Sequence, residues 1–302
     1  MIFADLHNHT TASDGDFTPE EMILQAREKG IKAIGITDHD TLSGLLPAVA
    51  AGKNNGVDVV CGVEVSVRFK RPYFTGTLHL LCYFSNTRLN DPDFTSGLNS
   101  ILADGRGEQL VKDRIREINT LFGPGGTLAR LNRNMAYEDI SSLSDNATRR
   151  HFALALEKRF GIRDKDAINA IIGNDSPAYL PSGVDLSSLT GFIQAHPMVV
   201  SLAHPAAGSF PGDGHYKEVL PRVEVVEKIL PDFLEAGMNA IEVYYPGHSP
   251  EHTALMKTWA EKHDLIMTGG SDCHDAVQRP FGVRGLSRPE FDLFKSKLEN
   301  AG

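Results

Sequence analysis

Two histidines separated by one residue stand at the end of the first apolar run, in Asp5-Leu6-His7-Asn8-His9. In an extended strand, residues two apart point to the same side, so both imidazoles can face one ion. Neutral imidazoles are common ligands of divalent metals in proteins. The spacing therefore predicts one half of a metal-binding site near the start of the chain.

Further potential ligands follow other predicted strands, where the catalytic groups of α/β barrels collect. The full set is His7, His9, Asp14, His39, Glu64, His79, His204, Asp272 and His274. It combines imidazoles with carboxylates and lacks thiolates, which favours Mn²⁺, with Zn²⁺ or Fe²⁺ as alternatives. The set exceeds the needs of one ion, and a carboxylate such as Glu64 can bridge two, so we expect two or three divalent metal ions. Such a cluster can lower the pKa of bound water and stabilise the attacking and leaving oxygens of a phosphoryl displacement.

The elements that must position these ligands are short β-rich runs that alternate with helical patterns. This alternation predicts an α/β fold with a parallel sheet. The predicted strands lie near residues 2–6, 31–37, 57–65, 78–83, 199–203, 240–244 and 265–268. Thr18-Pro19-Glu20-Glu21 has the spacing of a capping box with proline at the first helical position, and Gly30 ends that helix.

The region from about residue 90 to 195 breaks this alternation, because it shows helical patterns without intervening strands. Its apolar stripes are formed by Val111, Ile115, Ile118 and Phe122, by Phe152, Leu156 and Phe160, and by Ile168, Ile171 and Ile172. We therefore expect two domains. Residues 1–90 and 196–302 would form the metal-binding barrel, and residues 91–195 would form an inserted helical domain over the barrel mouth.

Composition limits the classes of function. The chain has 302 residues, a formal net charge of −9 and three cysteines. A negative chain argues against an extended nucleic acid duplex as partner, but not against a small anionic substrate. The cysteines lack C-x-x-C spacing and suit a reducing compartment. No stretch has the character of a signal peptide or transmembrane helix, so we expect a cytoplasmic protein without a membrane partner.

In their order along the chain and in the residues of each motif, these segments resemble the polymerase and histidinol phosphatase (PHP) family. The resemblance rests on Asp5-Leu6-His7-Asn8-His9, Ser13-Asp14-Gly15, Thr37-Asp38-His39-Asp40, Gly62-Val63-Glu64, His79, Ala203-His204-Pro205 and Gly269-Gly270-Ser271-Asp272-Cys273-His274. It implies a distorted (β/α)7 TIM-like barrel, in agreement with the seven predicted strands. It also implies three ion sites, formed by His7, His9, Glu64 and Asp272, by Glu64, His79 and His204, and by Asp14, His39 and His274.

Within that family, the chain is most similar to small stand-alone phosphoesterases. Some of these remove the 3′-phosphate of 3′,5′-bisphosphonucleotides, and others trim short RNA from its 5′ end. The matching elements are Arg149-Arg150-His151-Phe152-Ala153 and Glu242-Val243-Tyr244-Tyr245 followed by His248-Ser249-Pro250. The family usually has proline in place of Arg150, and this departure leaves the exact substrate open.

The resemblance implies hydrolysis of a nucleotide phosphate ester by attack of a metal-bridging hydroxide on phosphorus. The expected catalytic residues are Asp272, His204 and His248, and the expected substrate contacts are Arg149, Arg150, His151 and Tyr179. His248 would protonate the leaving group. Arg149 would hold the phosphoryl oxygens with its planar fork, and Tyr179 would stack on a base.

Three other functions stay open at this point. The chain could be a phosphatase for a small metabolite such as histidinol phosphate, although the long insertion favours a larger, nucleotide-like ligand. It could hydrolyse a C–N bond, although the carboxylate-rich ligand set argues against this. It could also be a non-catalytic metal-binding regulatory module, which the complete ligand set disfavours.

Overall fold

The computed structural model describes residues 2–212 and 220–300, and its centre is one eight-stranded sheet. The strands are β1 (Ala4–Asp5), β2 (Ala33–Ile36), β3 (Asp58–Arg71), β4 (Phe74–Phe84), β5 (Val184–Asp185), β6 (Val199–Leu202), β7 (Ala240–Tyr244) and β8 (Ile266–Gly269). Their order is β1-β2-β3-β4-β6-β7-β8, and β5 pairs with β3 off this path. The seven predicted strands are all present. The sequence does not predict β5, because two residues show no periodicity.

The two ends of the sheet approach each other and make a nearly closed barrel. The amide of Leu6 donates to the carbonyl of Gly269 at 3.1 Å, and the amide of Asp272 donates to the carbonyl of His7 at 2.8 Å. These bonds join the segment that follows β1 to the segment that follows β8. The predicted α/β barrel is thus confirmed, and its closure brings residues from opposite ends of the chain together.

Strand β4 departs from the predicted parallel arrangement, because it runs antiparallel to both β3 and β6. Only Pro72 and Tyr73 connect β3 to β4, and two residues allow a hairpin but not the crossover that parallel strands need. The register pairs Ser66 with His79 and Glu64 with Leu81. His79 therefore lies within β4 rather than at its entry, on the same face as Glu64.

The described residues also form eleven α-helices. These are α1 (Pro19–Lys29), α2 (Leu45–Asn55), α3 (Pro92–Gly105), α4 (Glu108–Phe122), α5 (Glu138–Ser141), α6 (Arg149–Phe160), α7 (Lys165–Ile172), α8 (Leu186–Ala195), α9 (Val223–Glu235), α10 (Pro250–His263) and α11 (Arg288–Asn300). The predicted capping box is present at the start of α1, where Thr18 and Glu21 exchange hydrogen bonds. Gly30 ends α1 in the left-handed conformation, with φ of 70°. No described helix is both long enough and apolar enough to cross a membrane.

The helical insertion has a hydrophobic core of its own. That core consists of Val111, Ile115, Ile118, Phe122, Leu131, Met135, Ile140, Phe152, Ala155, Leu156, Phe160, Ile171, Ile172 and Ala178. Helices α3 and α8 lie inside the predicted boundaries 91–195, yet Leu98 and Phe192 pack them into the barrel core. The two ends of the helical insertion lie next to each other, since the amide of Gly183 donates to the carbonyl of Gly105 at 2.9 Å. We therefore propose the narrower boundaries 106–182 for the helical domain.

Candidate metal centre

The structure brings all nine predicted ligands to one end of the barrel. His7, His9 and Asp14 follow β1, His39 follows β2, Glu64 and His79 lie in β3 and β4, His204 follows β6, and Asp272 and His274 follow β8. Parallel strands that share a sheet direct these loops to the same end. Two of the loop residues, His204 and Asp272, have positive φ angles of 31° and 50°. Such conformations are uncommon outside glycine and cluster at functional sites.

Glu64 is the centre of the ligand set, and its side chain is only 1% exposed. Its Oε1 lies 3.0 Å from both His79 Nδ1 and His204 Nε2. Its Oε2 lies 3.1 Å from both His9 Nε2 and His39 Nδ1. His7 Nε2 is also 3.3 Å from Oε2. Each oxygen thus faces a different set of imidazoles, which is the arrangement expected of a carboxylate that bridges two ions.

The ligand atoms form three overlapping groups, each compact enough for one ion. The groups are His7, His9, Glu64 and Asp272, then His9, Asp14, His39 and His274, and finally His39, Glu64 and His79. The first group equals one of the ion sites implied by the family resemblance. The second contains another implied site with His9 added. The third contains His39 where the resemblance implied His204. His204 nevertheless contacts Glu64, with its Nε2 3.0 Å from Glu64 Oε1.

Buried polar atoms without hydrogen-bond partners test whether the centre fits cations. In the described residues these atoms are Asn8 Oδ1, His9 Nδ1, Asp14 Oδ1, His39 Nδ1, Glu64 Oε2, His79 Nδ1, His204 Nδ1 and Asp272 Oδ1. All except the Asn8 atom belong to predicted ligands. A buried polar atom without a partner is costly and rare in folded proteins. Divalent cations would satisfy these nitrogen and oxygen atoms, so the residues present fit a metal cluster.

A buried carboxylate that the sequence analysis did not select as a site residue orients two of the ligands. Glu242 lies in β7, where its Oε1 is 3.1 Å from His7 Nδ1. Its Oε2 accepts the backbone N–H of His204 at 2.7 Å. Carboxylates that hold the outer nitrogen of a ligand histidine fix its tautomer and ring orientation. A charged residue inside the apolar run Ala240–Tyr244 is the sequence signal for this role.

Asp272 is oriented by side chains that the sequence analysis also missed. Its Oδ2 accepts hydrogen bonds from Arg279 at 2.8 Å and from the Tyr245 hydroxyl at 3.2 Å. Its Oδ1 is left without a partner and lies 3.2 Å from His9 Nε2. Although burial raises the pKa of Asp272, Arg279 and the neighbouring histidines hold it well below its usual range. Asp272 therefore presents one charged oxygen to the ligand group.

His248, which was predicted to protonate the leaving group, lies between two backbone groups in the structure. Its side chain is buried, with Nδ1 donating to the carbonyl of Val243 at 3.1 Å and Nε2 accepting the amide of Ala206 at 3.3 Å. Burial lowers the pKa of His248 to about 3. The ring therefore stays neutral, and both of its nitrogens form hydrogen bonds with backbone groups. His248 thus connects the end of β7 to the loop after β6.

A cavity of about 560 Å³ opens above the ligands and is bounded by the helical domain. Its cationic lining consists of Arg106, Arg114, Arg149, Arg150, Lys165 and Arg279. Burial, together with the neighbouring Arg106 and Arg149, lowers the pKa of Arg114 to about 10. Positive charge is thus concentrated here in a chain that is negative overall, which suits an anionic ligand.

Three of the four predicted substrate contacts line this cavity, namely Arg149, Arg150 and Tyr179. Arg150 also lies 3.3 Å from Asp16 and 3.5 Å from Asp275, so part of its charge is neutralised. His151 is not among the described residues that line the cavity. Its ring is buried and its Nδ1 accepts the amide of Thr148 at 3.0 Å, which makes it part of the first turn of α6. The structure thus does not place His151 at the cavity, and its substrate contact stays a prediction.

Comparisons with known proteins agree with this geometry. Residues 5–91 match the family model described as PHP domain. The chain is 27% identical to a 5′-3′ exoribonuclease of Haemophilus influenzae, over 89% of each chain. It is 29% identical to a 3′,5′-nucleoside bisphosphate phosphatase of Chromobacterium violaceum, over 91% of this chain and 88% of the relative. It is 27% identical to a phosphoribosyl 1,2-cyclic phosphate 1,2-diphosphodiesterase of Eggerthella lenta, over 92% and 96%.

Solved structures share the fold. One from Bifidobacterium adolescentis, provisionally described as a metal-dependent phosphoesterase, superposes with a TM-score of 0.75 and 22% identity, over 97% of this chain and 96% of the other. Another, from Chromobacterium violaceum, is described as an amidohydrolase with bound sulfate. It has a TM-score of 0.73 and 24% identity, over 98% and 96%. At these identities the two structures show the shared fold alone.

Proposed function

We propose that this PHP-domain protein is a metal-dependent phosphoesterase that hydrolyses phosphate esters of nucleotides. The observation that carries the proposal is the set of three ligand groups around Glu64 at the floor of a cationic cavity. The three relatives support the same chemistry, because their names describe an exoribonuclease, a phosphatase of a nucleoside bisphosphate and a diphosphodiesterase of a phosphoribosyl cyclic phosphate. The ligand groups would bind the ions, and the arginines would bind the phosphate.

The proposed substrate is a 3′,5′-bisphosphonucleotide or the 5′ end of a short oligoribonucleotide. A cavity of about 560 Å³ is in the range of sites that enclose nucleotide-sized ligands. A metabolite as small as histidinol phosphate would leave much of that volume unfilled. Tyr179 at the cavity wall offers a ring on which a base can stack.

The proposed cofactors are two or three divalent ions, with Mn²⁺ favoured and Zn²⁺ or Fe²⁺ as alternatives. Ions held by the three groups would polarise the phosphoryl oxygens and lower the pKa of bound water. Overlap of the groups at His9, His39 and Glu64 supports a cluster rather than separate sites. The mixture of imidazoles and carboxylates supports borderline and hard cations rather than soft ones.

The chain's own side chains would orient and neutralise the substrate. Arg149 lines the cavity and offers a planar fork to two phosphoryl oxygens. Glu242 holds His7 in one tautomer, with its Nε2 turned towards Glu64 and Asp272. These contacts exist before substrate arrives, so little rearrangement would be needed during the reaction.

A panel of substrates tests the proposal. Protein loaded with Mn²⁺ would be given 3′,5′-bisphosphoadenosine, a 5′-phosphorylated short RNA and histidinol phosphate, and the released phosphate and nucleotide would be measured. We expect the first or second substrate to be hydrolysed with the largest kcat/KM. A higher kcat/KM for histidinol phosphate would overturn the nucleotide assignment. Absence of hydrolysis on every phosphate ester would overturn the function itself.

A further inference from the structure

Thr148 connects the helical domain directly to a metal-ligand carboxylate. Its hydroxyl lies 2.7 Å from Asp14 Oδ2, although 134 positions separate the two residues. The Asp14 side chain is 4% exposed and Thr148 is buried, so most of this contact is shielded from water. A charge-assisted hydrogen bond of this length between buried groups is among the stronger ones in proteins.

The proton positions around Thr148 follow from its partners. A carboxylate only accepts hydrogen bonds, so the hydroxyl proton points to Asp14. The hydroxyl oxygen accepts the backbone N–H of Arg150 at 3.1 Å and thereby caps the N-terminus of α6. His151 Nδ1 accepts the backbone N–H of Thr148 at 3.0 Å and stabilises the same turn. One hydroxyl therefore fixes both the start of α6 and the rotation of the Asp14 carboxylate.

The bond to Thr148 decides which oxygen Asp14 presents to its ligand group. With Oδ2 occupied by Thr148, Oδ1 is left without a hydrogen-bond partner. That oxygen lies 3.5 Å from His274 Nε2 and 3.9 Å from His9 Nδ1, within the group that also contains His39. Orienting partners of this kind usually matter for metal affinity almost as much as the ligands themselves.

The same segment of the helical domain also holds the loop that carries His39. The side-chain amide of Asn146 donates to the backbone carbonyl of His39 at 2.6 Å. Two of the four residues in this ligand group, Asp14 and His39, are thus held by contacts from residues 146–148. Among the described residues, this segment makes no hydrogen bond to the group formed by His7, His9, Glu64 and Asp272, and Asp272 is held by Arg279 instead.

We propose that Thr148 is a positioning residue that makes one ion site dependent on the helical domain. The site is the group of His9, Asp14, His39 and His274, and the ligand is a divalent cation. The first turn of α6 also carries Arg149 into the cavity, so that turn joins this ion site to the proposed phosphate contact. The inference rests on the proposed metal centre, but it concerns a residue outside the three ligand groups.

Metal titration of two substitutions at this position tests the inference. Thr148→Val keeps the side-chain shape and removes the hydroxyl, whereas Thr148→Ser keeps the hydroxyl. Stripped proteins would be dialysed at fixed free Mn²⁺ concentrations, and bound ions would be counted by elemental analysis. We expect Thr148→Val to bind one ion about 10- to 100-fold more weakly while the other ions stay bound as in the parent chain. Thr148→Ser should behave as the parent does.

A second variant separates metal positioning from helix capping. Asp164 caps the neighbouring helix α7 by accepting the amide of Ala167 at 2.8 Å and has no contact with the ligand groups. Asp164→Ala should lower the thermal stability as Thr148→Val does, without changing the ion count. Equal ion binding by Thr148→Val and the parent would overturn the inference, as would equal ion loss in Asp164→Ala. If the parent binds its ions but hydrolyses no phosphate ester, only the proposed function fails.

Discussion

Replacing Glu242 with glutamine should weaken ion binding by changing the tautomer of His7. The carboxylate accepts hydrogen bonds at both oxygens, from His7 Nδ1 at 3.1 Å and from the backbone of His204 at 2.7 Å. Glutamine offers only one terminal oxygen, and its NH₂ group can only donate. The backbone fixes the His204 amide, so the oxygen should turn to it and the NH₂ group should face His7. His7 would then carry its ring proton on Nε2, the nitrogen that faces Glu64 and Asp272.

The expected magnitude follows from this exchange of partners. If His7 keeps its proton on Nδ1, one buried hydrogen bond is unmade, at a cost of about 1–3 kcal/mol. If the proton moves to Nε2, the lone pair that an ion would use is blocked. A loss of about 1–3 kcal/mol corresponds to about 5- to 150-fold in binding. We therefore expect the dissociation constant of Mn²⁺ at the His7 group to rise by about 10- to 100-fold.

Isothermal titration of the stripped protein with Mn²⁺ measures this constant directly. Glu290→Gln is the matched control, because Glu290 accepts hydrogen bonds from Tyr244 and Ser287 but lies outside the ligand groups. The control should bind Mn²⁺ as the parent does. An unchanged dissociation constant in Glu242→Gln would refute the tautomer argument, and an equal loss in both variants would show that the effect is not specific to His7.

Two further substitutions test the cavity and the helical domain. Arg149→Met should lower kcat/KM by about 10-fold or more, since it removes a charged hydrogen-bond donor, whereas Lys158→Met on the outer face of α6 should not change kcat/KM. The bidentate contact with Arg133 lowers the pKa of Asp139 to about 2. The ion pair therefore stabilises the fold above about pH 4, and this stabilisation is lost as the pH falls towards 2. Asp139→Asn should therefore lower the free energy of unfolding by about 1 kcal/mol at pH 7, because the Arg133 side chain is 48% exposed. That difference should shrink between pH 4 and pH 2, and a difference independent of pH would contradict the assignment.

The barrel and the ligand set could be predicted because each depends on a local pattern. Strand and helix periodicities locate the elements, and ligand-type residues follow the strands at recognisable positions. The capping box at Thr18 and Glu21 and the left-handed Gly30 are likewise decided within a few residues. The direction of β4 is a local property too, since the two-residue connection at Pro72 and Tyr73 determines it.

Other features depend on long-range contacts that no local pattern contains. Glu242 orients His7 across 235 positions, and Thr148 reaches Asp14 across 134 positions. The surroundings of His248 could not be predicted for the same reason, because its Nε2 accepts the amide of Ala206 from 42 positions away. The boundaries that we propose for the helical domain are narrower than those predicted from the sequence, because α3 and α8 look like the other helices in sequence. Only the packed structure shows that they bury their apolar faces on the barrel.

The central claim is that ions held by these side chains are required for phosphate ester hydrolysis. The most direct measurement is phosphate release from 3′,5′-bisphosphoadenosine by stripped protein as Mn²⁺ is added stepwise, with Asp272→Asn measured in parallel. We predict no release from stripped protein, recovery in proportion to bound ions, and no recovery in Asp272→Asn, whose neutral side chain cannot replace the charged oxygen beside His9. Full activity in the stripped protein, or full recovery in Asp272→Asn, would contradict the claim.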